Sequence, residues 1–107
     1  MEEEKDLFQC MVAQNEEGKI VGFATFFFVY YSWSGKALYL DDLYIQPAHR
    51  GNKSGTKLMM AVKDFALNSH CKKMRWQVSS WNHNAITFYK SIGAVVDDVE
   101  INCDLNL

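Results

Sequence analysis

Up to Pro47 apolar runs rich in Phe, Tyr and Val alternate with short polar turns, and from about Ser54 apolar positions return every three to four residues, so three strand-like segments precede the first helix. Residues 7–14 and 19–31 predict two strands flanking Asn15-Glu16-Glu17-Gly18, a turn in which Gly18 supplies the positive φ a hairpin requires. The two strands are expected to pair antiparallel. Phe23, Phe26, Phe27 and Phe28 make the second apolar on both faces, as in a central strand covered on two sides. After a break at Ser32-Trp33-Ser34-Gly35, a third strand is expected over residues 36–46, ending at Pro47, which has no N–H for a ladder. Asp41 and Asp42 interrupt this apolar strand. Side by side, they either point to opposite faces or are displaced by a bulge.

A helix opening near Asn52 or Ser54 and ending about Asn68 places Leu58, Ala61, Val62 and Phe65 on one stripe. Met74, Trp76 and Val78 then alternate with Arg75, Gln77 and Ser79, a half-buried strand that runs parallel to the third if the helix is a crossover. A second helix from about Asn84 aligns Ala85, Phe88, Tyr89 and Ile92 and takes Gly93 as its C-terminal cap. Residues 95–105 read as one more strand. The order β-β-β-α-β-α-β predicts an α/β (α+β-like) domain over residues 1–107, with a mixed, mostly antiparallel sheet and flanking helices.

Composition narrows the class. A hydrophobic fraction of 49% and one proline in 107 residues mark a folded body. Of the net charge of −2, the acidic start Glu2-Glu3-Glu4-Lys5-Asp6 accounts for the negative excess, and residues 1–6 read as a solvated end. The remaining chain has no basic footprint, which argues against nucleic acid as a partner. The apolar run around Phe26 is shorter than the roughly 18 residues a membrane helix needs, so no membrane partner is expected. Cys10, Cys71 and Cys103 are far apart without CxxC spacing, which fits reduced cytoplasmic thiols. His49, His70 and His83 show no metal-ligand spacing, and no metal is expected.

The junction HRGNKSGTKL follows the third strand and opens the first helix. Main-chain N–H groups at a helix start have no intrahelical partner and lie at the positive end of the dipole, so an anion docks there readily. Gly51 and Gly55 let the backbone approach a ligand, and Arg50, Lys53 and Lys57 add charge. Either an anion sits at this point or the cations point into solvent. The pattern is neither the Walker loop nor the dinucleotide fingerprint.

With LYLDDLYIQP before it and SSWNHNAITFYKSIGA downstream, HRGNKSGTKL resembles the GNAT superfamily of acetyl-CoA-dependent N-acetyltransferases. The segment VGFATFFFVYYSWSGKALYLDDLYIQP is similar to the spermidine/spermine and thialysine acetyltransferases. The resemblance implies that Arg50, Gly51, Asn52, Lys53, Ser54, Gly55 and Thr56 wrap the diphosphate of coenzyme A. Lys53 stands where the family pattern has glycine: a side chain there costs energy if the position needs positive φ, and adds a phosphate contact if the backbone is ordinary. The resemblance also implies that Leu43, Tyr44 and Ile45 bond the pantetheine arm through their backbone and that Asn82 reaches it, although Asn82 also reads as a helix N-cap.

By the same resemblance Tyr89 is the acid that protonates the departing thiolate and Asp41 takes the place of a glutamate that helps deprotonate the amine. Asp42 shares a negative pocket for a cationic substrate. Trp33 matches a substrate-loop tryptophan, either holding an ammonium or aliphatic chain or simply packing. Tyr31 stands where the polyamine enzyme has an acidic residue, which leaves thialysine or another small primary amine open. The expected activity is transfer of acetyl from acetyl-CoA to a small cationic amine. Family domains begin with a strand and helices ahead of the segment that starts this chain, so an N-terminally shortened domain and a homodimer covering exposed apolar sheet are expected. A weakly active or non-catalytic acetyl-CoA-binding variant is the competing expectation.

Overall fold

The computed structural model describes residues 8–51, 53–99 and 101–107. The acidic start at residues 1–6 and Asn52, one of the expected diphosphate contacts, lie outside the described residues. Packing divides the chain into two compact units, the first ending at Trp76 and the second spanning Gln77–Leu107.

The first unit is a four-stranded sheet in the order β1-β2-β3-β4, with β1 at Gln9–Gln14, β2 at Ile20–Tyr31, β3 at Gly35–Ile45 and β4 at Lys73–Arg75. Helix α1, Ser54–Asn68, connects β3 to β4. The β1–β2 turn forms as its sequence dictates: Gly18 adopts φ +82°, and the Asn15 side chain accepts from the Glu17 and Lys19 amides at 3.0 and 2.9 Å. β2 and β3 pair antiparallel from Gly22↔Ile45 to Tyr31↔Gly35. β3 and β4 run parallel over Ala37↔Lys73, Leu38↔Met74 and Tyr39↔Arg75, as a crossover through α1 requires.

A β-bulge settles the two aspartates. Thr25 faces Asp42 and Phe26 faces Leu40, which leaves Asp41 as an extra residue on β3. Gly22 sits where the two strands come closest. A Cβ there would lie 2.6 Å from the Tyr44 carbonyl oxygen, so the close approach of backbone to backbone demands glycine.

The core lies between one face of the sheet and α1. Ala24, Phe26, Leu38 and Leu40 are buried against Leu58, Met59, Val62 and Ala66, and the Phe65 ring meets Phe26 and Phe28 at centroid distances of 5.4 and 6.0 Å. Full burial of a side chain such as Val62 or Met59 contributes about 1.5–3 kcal/mol. The stripe is rotated from the one expected: Met59 and Ala66 are buried, Ala61 is exposed and Phe65 half-buried. Long, flexible Met59 fills the space over the sheet, and small Ala61 turns toward the β1–β2 hairpin, beside Met11 and Val21. At the far end of α1, the Lys36 ammonium lies 4.2 Å from the Phe28 ring centre and donates to the Ser69 carbonyl at 2.9 Å.

In the second unit, helix α2 spans His83–Ser91. Gly93, at φ +96°, ends it as expected: its N–H donates to the Lys90 carbonyl and the Ala94 N–H to the Tyr89 carbonyl, both at 3.0 Å, a Schellman closure.

Two expectations need correction. The strand expected from Met74 through Val78 is limited to Lys73–Arg75. Among the described residues no strand forms over 95–105, so their element order is β-β-β-α-β-α. Val95, Val99, Ile101 and Leu105 have strand-like composition but are each at least 80% exposed, and no strand among the described residues pairs with them. Without a neighbour, an extended segment has no ladder to join.

Candidate active site

β3 extends past its parallel partner. Pairing with β4 stops at Tyr39, and β3 continues to Ile45, so on that side the backbone from Leu40 onward has no strand partner among the described residues. Leu43, Tyr44 and Ile45, the residues expected to bond an extended ligand, lie on this open stretch. Leu43 is half-buried, Tyr44 exposed and Ile45 buried.

The chain then turns through a short 3-10 helix at Pro47–His49 into the glycine-containing loop. Arg50 folds back on the strand end: its Nε donates to the Ile45 carbonyl at 2.8 Å, and its guanidinium lies 5.5 Å from the centre of the Tyr44 ring. One carbonyl of the open stretch is therefore held by Arg50, which ties the loop to β3 and leaves the terminal guanidinium N–H groups to donate to another acceptor.

Gly51 takes φ +87° and Lys53 φ +69°, ψ +13°, both left-handed. Of the two readings of Lys53, the first holds: the family's glycine position needs positive φ, and a lysine there costs about 1–2 kcal/mol. Lys53 is the N-cap of α1 yet makes no side-chain cap, and the first turn contains no acidic residue. Exposed Lys53 and Lys57 surround that uncapped start. A Cβ at Gly55 would meet nothing closer than Ile45 at 3.8 Å, so packing within the protein does not demand glycine there. Ser54, Gly55 and Thr56 form the first turn of the helix.

The carboxylates lie on the strand just before this loop. Asp41 and Asp42 are exposed, and Asp42 Oδ2 accepts from the Thr25 hydroxyl at 3.0 Å. Around them the sheet face away from α1 is aromatic. Phe23 meets Tyr44 at 5.6 Å, Phe27 stacks on Tyr39 at 5.2 Å, and Tyr31 meets Trp33 at 6.0 Å between ring centres. Trp33 is 80% exposed. Burial raises the Tyr39 phenol above its ordinary value, with Asp41 and Tyr31 adding to the rise and Arg75 opposing it.

Asn82 and Tyr89 belong to the second unit. Asn82 caps α2, its Oδ1 accepting from the Ala85 N–H at 3.2 Å, which leaves the amide NH2 as a donor. Tyr89 is half-buried beside Phe88, ring centres 5.5 Å apart, and burial raises its phenol above the ordinary range. A phenol so placed holds its proton at neutral pH and is suited to give it to a strong base.

The sequence profile of the Acetyltransferase (GNAT) family matches residues 1–94. The chain belongs to the GNAT acetyltransferase family. This GNAT chain is 36% identical over 98 residues to thialysine N-epsilon-acetyltransferase of Mus musculus, a match covering 85% of the chain and 58% of that protein. It is 38% identical over 95 residues to spermidine/spermine N(1)-acetyltransferase-like protein 1 of Homo sapiens, covering 83% of the chain and 14% of that protein. Among solved structures, an integron cassette protein from the mobile metagenome of V. cholerae superposes with a TM-score of 0.84 at 27% identity, covering 92% of this chain and 61% of that one. The chain thus spans 58% of the length of its mouse relative.

Both the superfamily and the two relatives expected from the motifs are thereby found. Sequence reasoning missed Thr25 and Tyr39, which lie beside the carboxylates, and Arg75, whose guanidinium sits over the Tyr31 ring. Thr25 and Tyr39 are signalled by the alternation of β2 and β3 once the bulge is placed. Arg75 needs the parallel register, a long-range pairing that alternation alone does not reveal.

Proposed function

We propose that this GNAT chain is an acetyl-CoA-dependent N-acetyltransferase, moving an acetyl group to a primary amine of a small cationic acceptor, a polyamine, diamine or thialysine-like compound. The observation that carries this reading is the unpaired stretch of β3 running directly into an uncapped, cation-flanked helix start. An extended arm with amides can bond along the strand while its diphosphate lies at Gly51, Lys53, Ser54, Gly55 and Thr56. Asn82 donates to the same arm.

In the reaction, the neutral amine attacks the thioester carbonyl in a ternary complex. A C–N bond forms as the C–S bond breaks. The amine arrives mostly protonated, because its pKa near 10 exceeds working pH, and Asp41 accepts the proton directly or through water. Tyr89 returns a proton to the thiolate. Asp42, oriented by Thr25, adds to the negative field that draws the acceptor, and the Trp33 ring covers its ammonium or aliphatic chain. The same reading includes a homodimer and a cytoplasmic setting; the unpaired thiols of Cys10, Cys71 and Cys103 fit the latter.

Thiol release measured across a panel of polyamines, diamines and thialysine tests the proposal. Saturable turnover is expected, with a fall of about 100-fold or more in kcat for Tyr89→Phe. Stabilisation by coenzyme A without turnover on any amine would make the chain a binding module instead.

A further inference from the structure

The chemistry above gives the ring of Tyr44 no task, since it uses only the backbone of this part of β3. That ring is held on both sides. Across the sheet, Phe23 meets it at 5.6 Å between ring centres; Phe23 is in register with Tyr44 on one side and with Val12 of β1 on the other, so a row of side chains crosses three strands. Toward the loop, the Arg50 guanidinium lies over the same ring, 5.5 Å from its centre.

A second anchor fixes where that guanidinium stands. The Gln46 N–H donates to the Val21 carbonyl at 2.8 Å, and a planar trans peptide points its N–H and C=O opposite ways, so the Ile45 carbonyl faces away from β2. Arg50 Nε reaches that carbonyl from the loop at 2.8 Å. The guanidinium therefore sits at the corner where the open edge of β3 gives way to the glycine-containing loop. With the Nε–H occupied and the ring against it, the two terminal nitrogens keep their N–H groups, a fork that matches two oxygens of a phosphate. Among the described residues, the partners of this side chain are a carbonyl and a ring, and neither is anionic.

We infer that Tyr44 is a positioning residue for the acetyl donor: its ring, braced by Phe23, sets the Arg50 guanidinium in the free protein so that the terminal N–H groups meet a diphosphate arriving at the loop. The inference rests on the acetyl-CoA reading above and adds to it a side chain that acts through another. An exposed arginine on its long stem loses rotamer freedom when an anion captures it, and holding it beforehand removes much of that loss. The carbonyl alone leaves the guanidinium plane free to swing about its one hydrogen bond. The ring limits the swing, because the cation is attracted to its face. Leucine at this position has no such face, whereas phenylalanine keeps it and drops only the hydroxyl.

A double-mutant cycle read by calorimetric titration of coenzyme A tests this. Tyr44 is 41% exposed, so its replacement does not open the core. Tyr44→Leu is expected to weaken binding about 2- to 5-fold, and Tyr44→Phe to leave it unchanged. Arg50→Gln is expected to weaken it roughly 10-fold or more, and in that background Tyr44→Leu adds nothing. A tyrosine that merely supports β3 would weaken binding by the same factor with or without Arg50, which would overturn the inference, as would full affinity in Tyr44→Leu. The Arg50 Nε–H resonance of the isotope-labelled free protein gives a readout that needs no cofactor. Slow exchange with water is expected in the unmodified protein and in Tyr44→Phe, and fast exchange in Tyr44→Leu; equal exchange in all three overturns the inference. If coenzyme A gives no heat with the unmodified protein, the acetyl-CoA reading falls on its own, and inorganic pyrophosphate followed at the same resonance decides the role of Tyr44. A shift that is lost in Tyr44→Leu upholds it; no shift, or one that survives the substitution, overturns it.

Discussion

Lys53 holds a left-handed backbone at φ +69° immediately before α1, where its carbonyl accepts the first helical bond from the Lys57 N–H at 2.9 Å. For a residue with a Cβ that conformation costs about 1–2 kcal/mol. Lys53→Gly removes the cost but makes the unfolded chain freer by about 0.4–1 kcal/mol, so the net gain is about 0.5–1 kcal/mol. In a domain of this size such a gain raises Tm by about 2–8 °C. The same substitution deletes an exposed ammonium beside the expected diphosphate. Exposed ion pairs contribute about 0.2–1 kcal/mol, so coenzyme A affinity should fall about 1.5- to 5-fold, and less at higher salt. Lys53→Ala separates the two effects, because it keeps the strained backbone and loses the charge. Thermal unfolding and calorimetric titration of both variants at two salt concentrations give the answer. Equal gains in Tm for the alanine and glycine variants would refute the strain argument, and unchanged coenzyme A affinity in both would refute the electrostatic one.

Two other perturbations follow from the same geometry. Gly22→Ala forces a Cβ toward the Tyr44 carbonyl oxygen and should destabilise by about 1–3 kcal/mol, lowering Tm by about 5–20 °C in a melting experiment; a neutral result would show that β2 and β3 separate freely at that end. Burial raises the folded-state pKa of Tyr39 and Tyr89, so their contribution to stability is complete below the unfolded value near 10 and is lost as pH rises through the folded values. Urea midpoints should therefore decline above about pH 10, and less steeply in Tyr39→Phe and Tyr89→Phe; identical slopes in all three proteins would assign the decline to other groups.

What the sequence revealed tracks how local each cause is. The hairpin turn was legible because Asn15 and Gly18 carry its hydrogen bonds and its φ within a few residues. The end of α2 was legible for the same reason, since Gly93 closes a motif confined to one turn. Asp41 was ambiguous because a lone strand does not reveal which residue its neighbour will skip; the register with Thr25 and Phe26 decides it. The α1 stripe was misplaced by a fraction of a turn because Met59 and Ala61 differ in reach more than in polarity. Residues 95–105 had strand composition without a partner, and pairing is a property of two segments. The left-handed state of Lys53 follows from how the chain leaves β3 and enters α1, which no nearby residue type announces.

The bulge at Asp41 means that β3 carries one residue more than β2 can match. Removing that single position would let Leu40 and Asp42 follow each other in regular alternation and zip against Phe26 and Thr25 without interruption. Architecture does not ask for Asp41, and a shortened gene product lacking it should fold at least as readily. Under the proposed chemistry Asp41 meets the acceptor amine, so deletion at this point would separate the demands of folding from those of chemistry more cleanly than any replacement of the side chain.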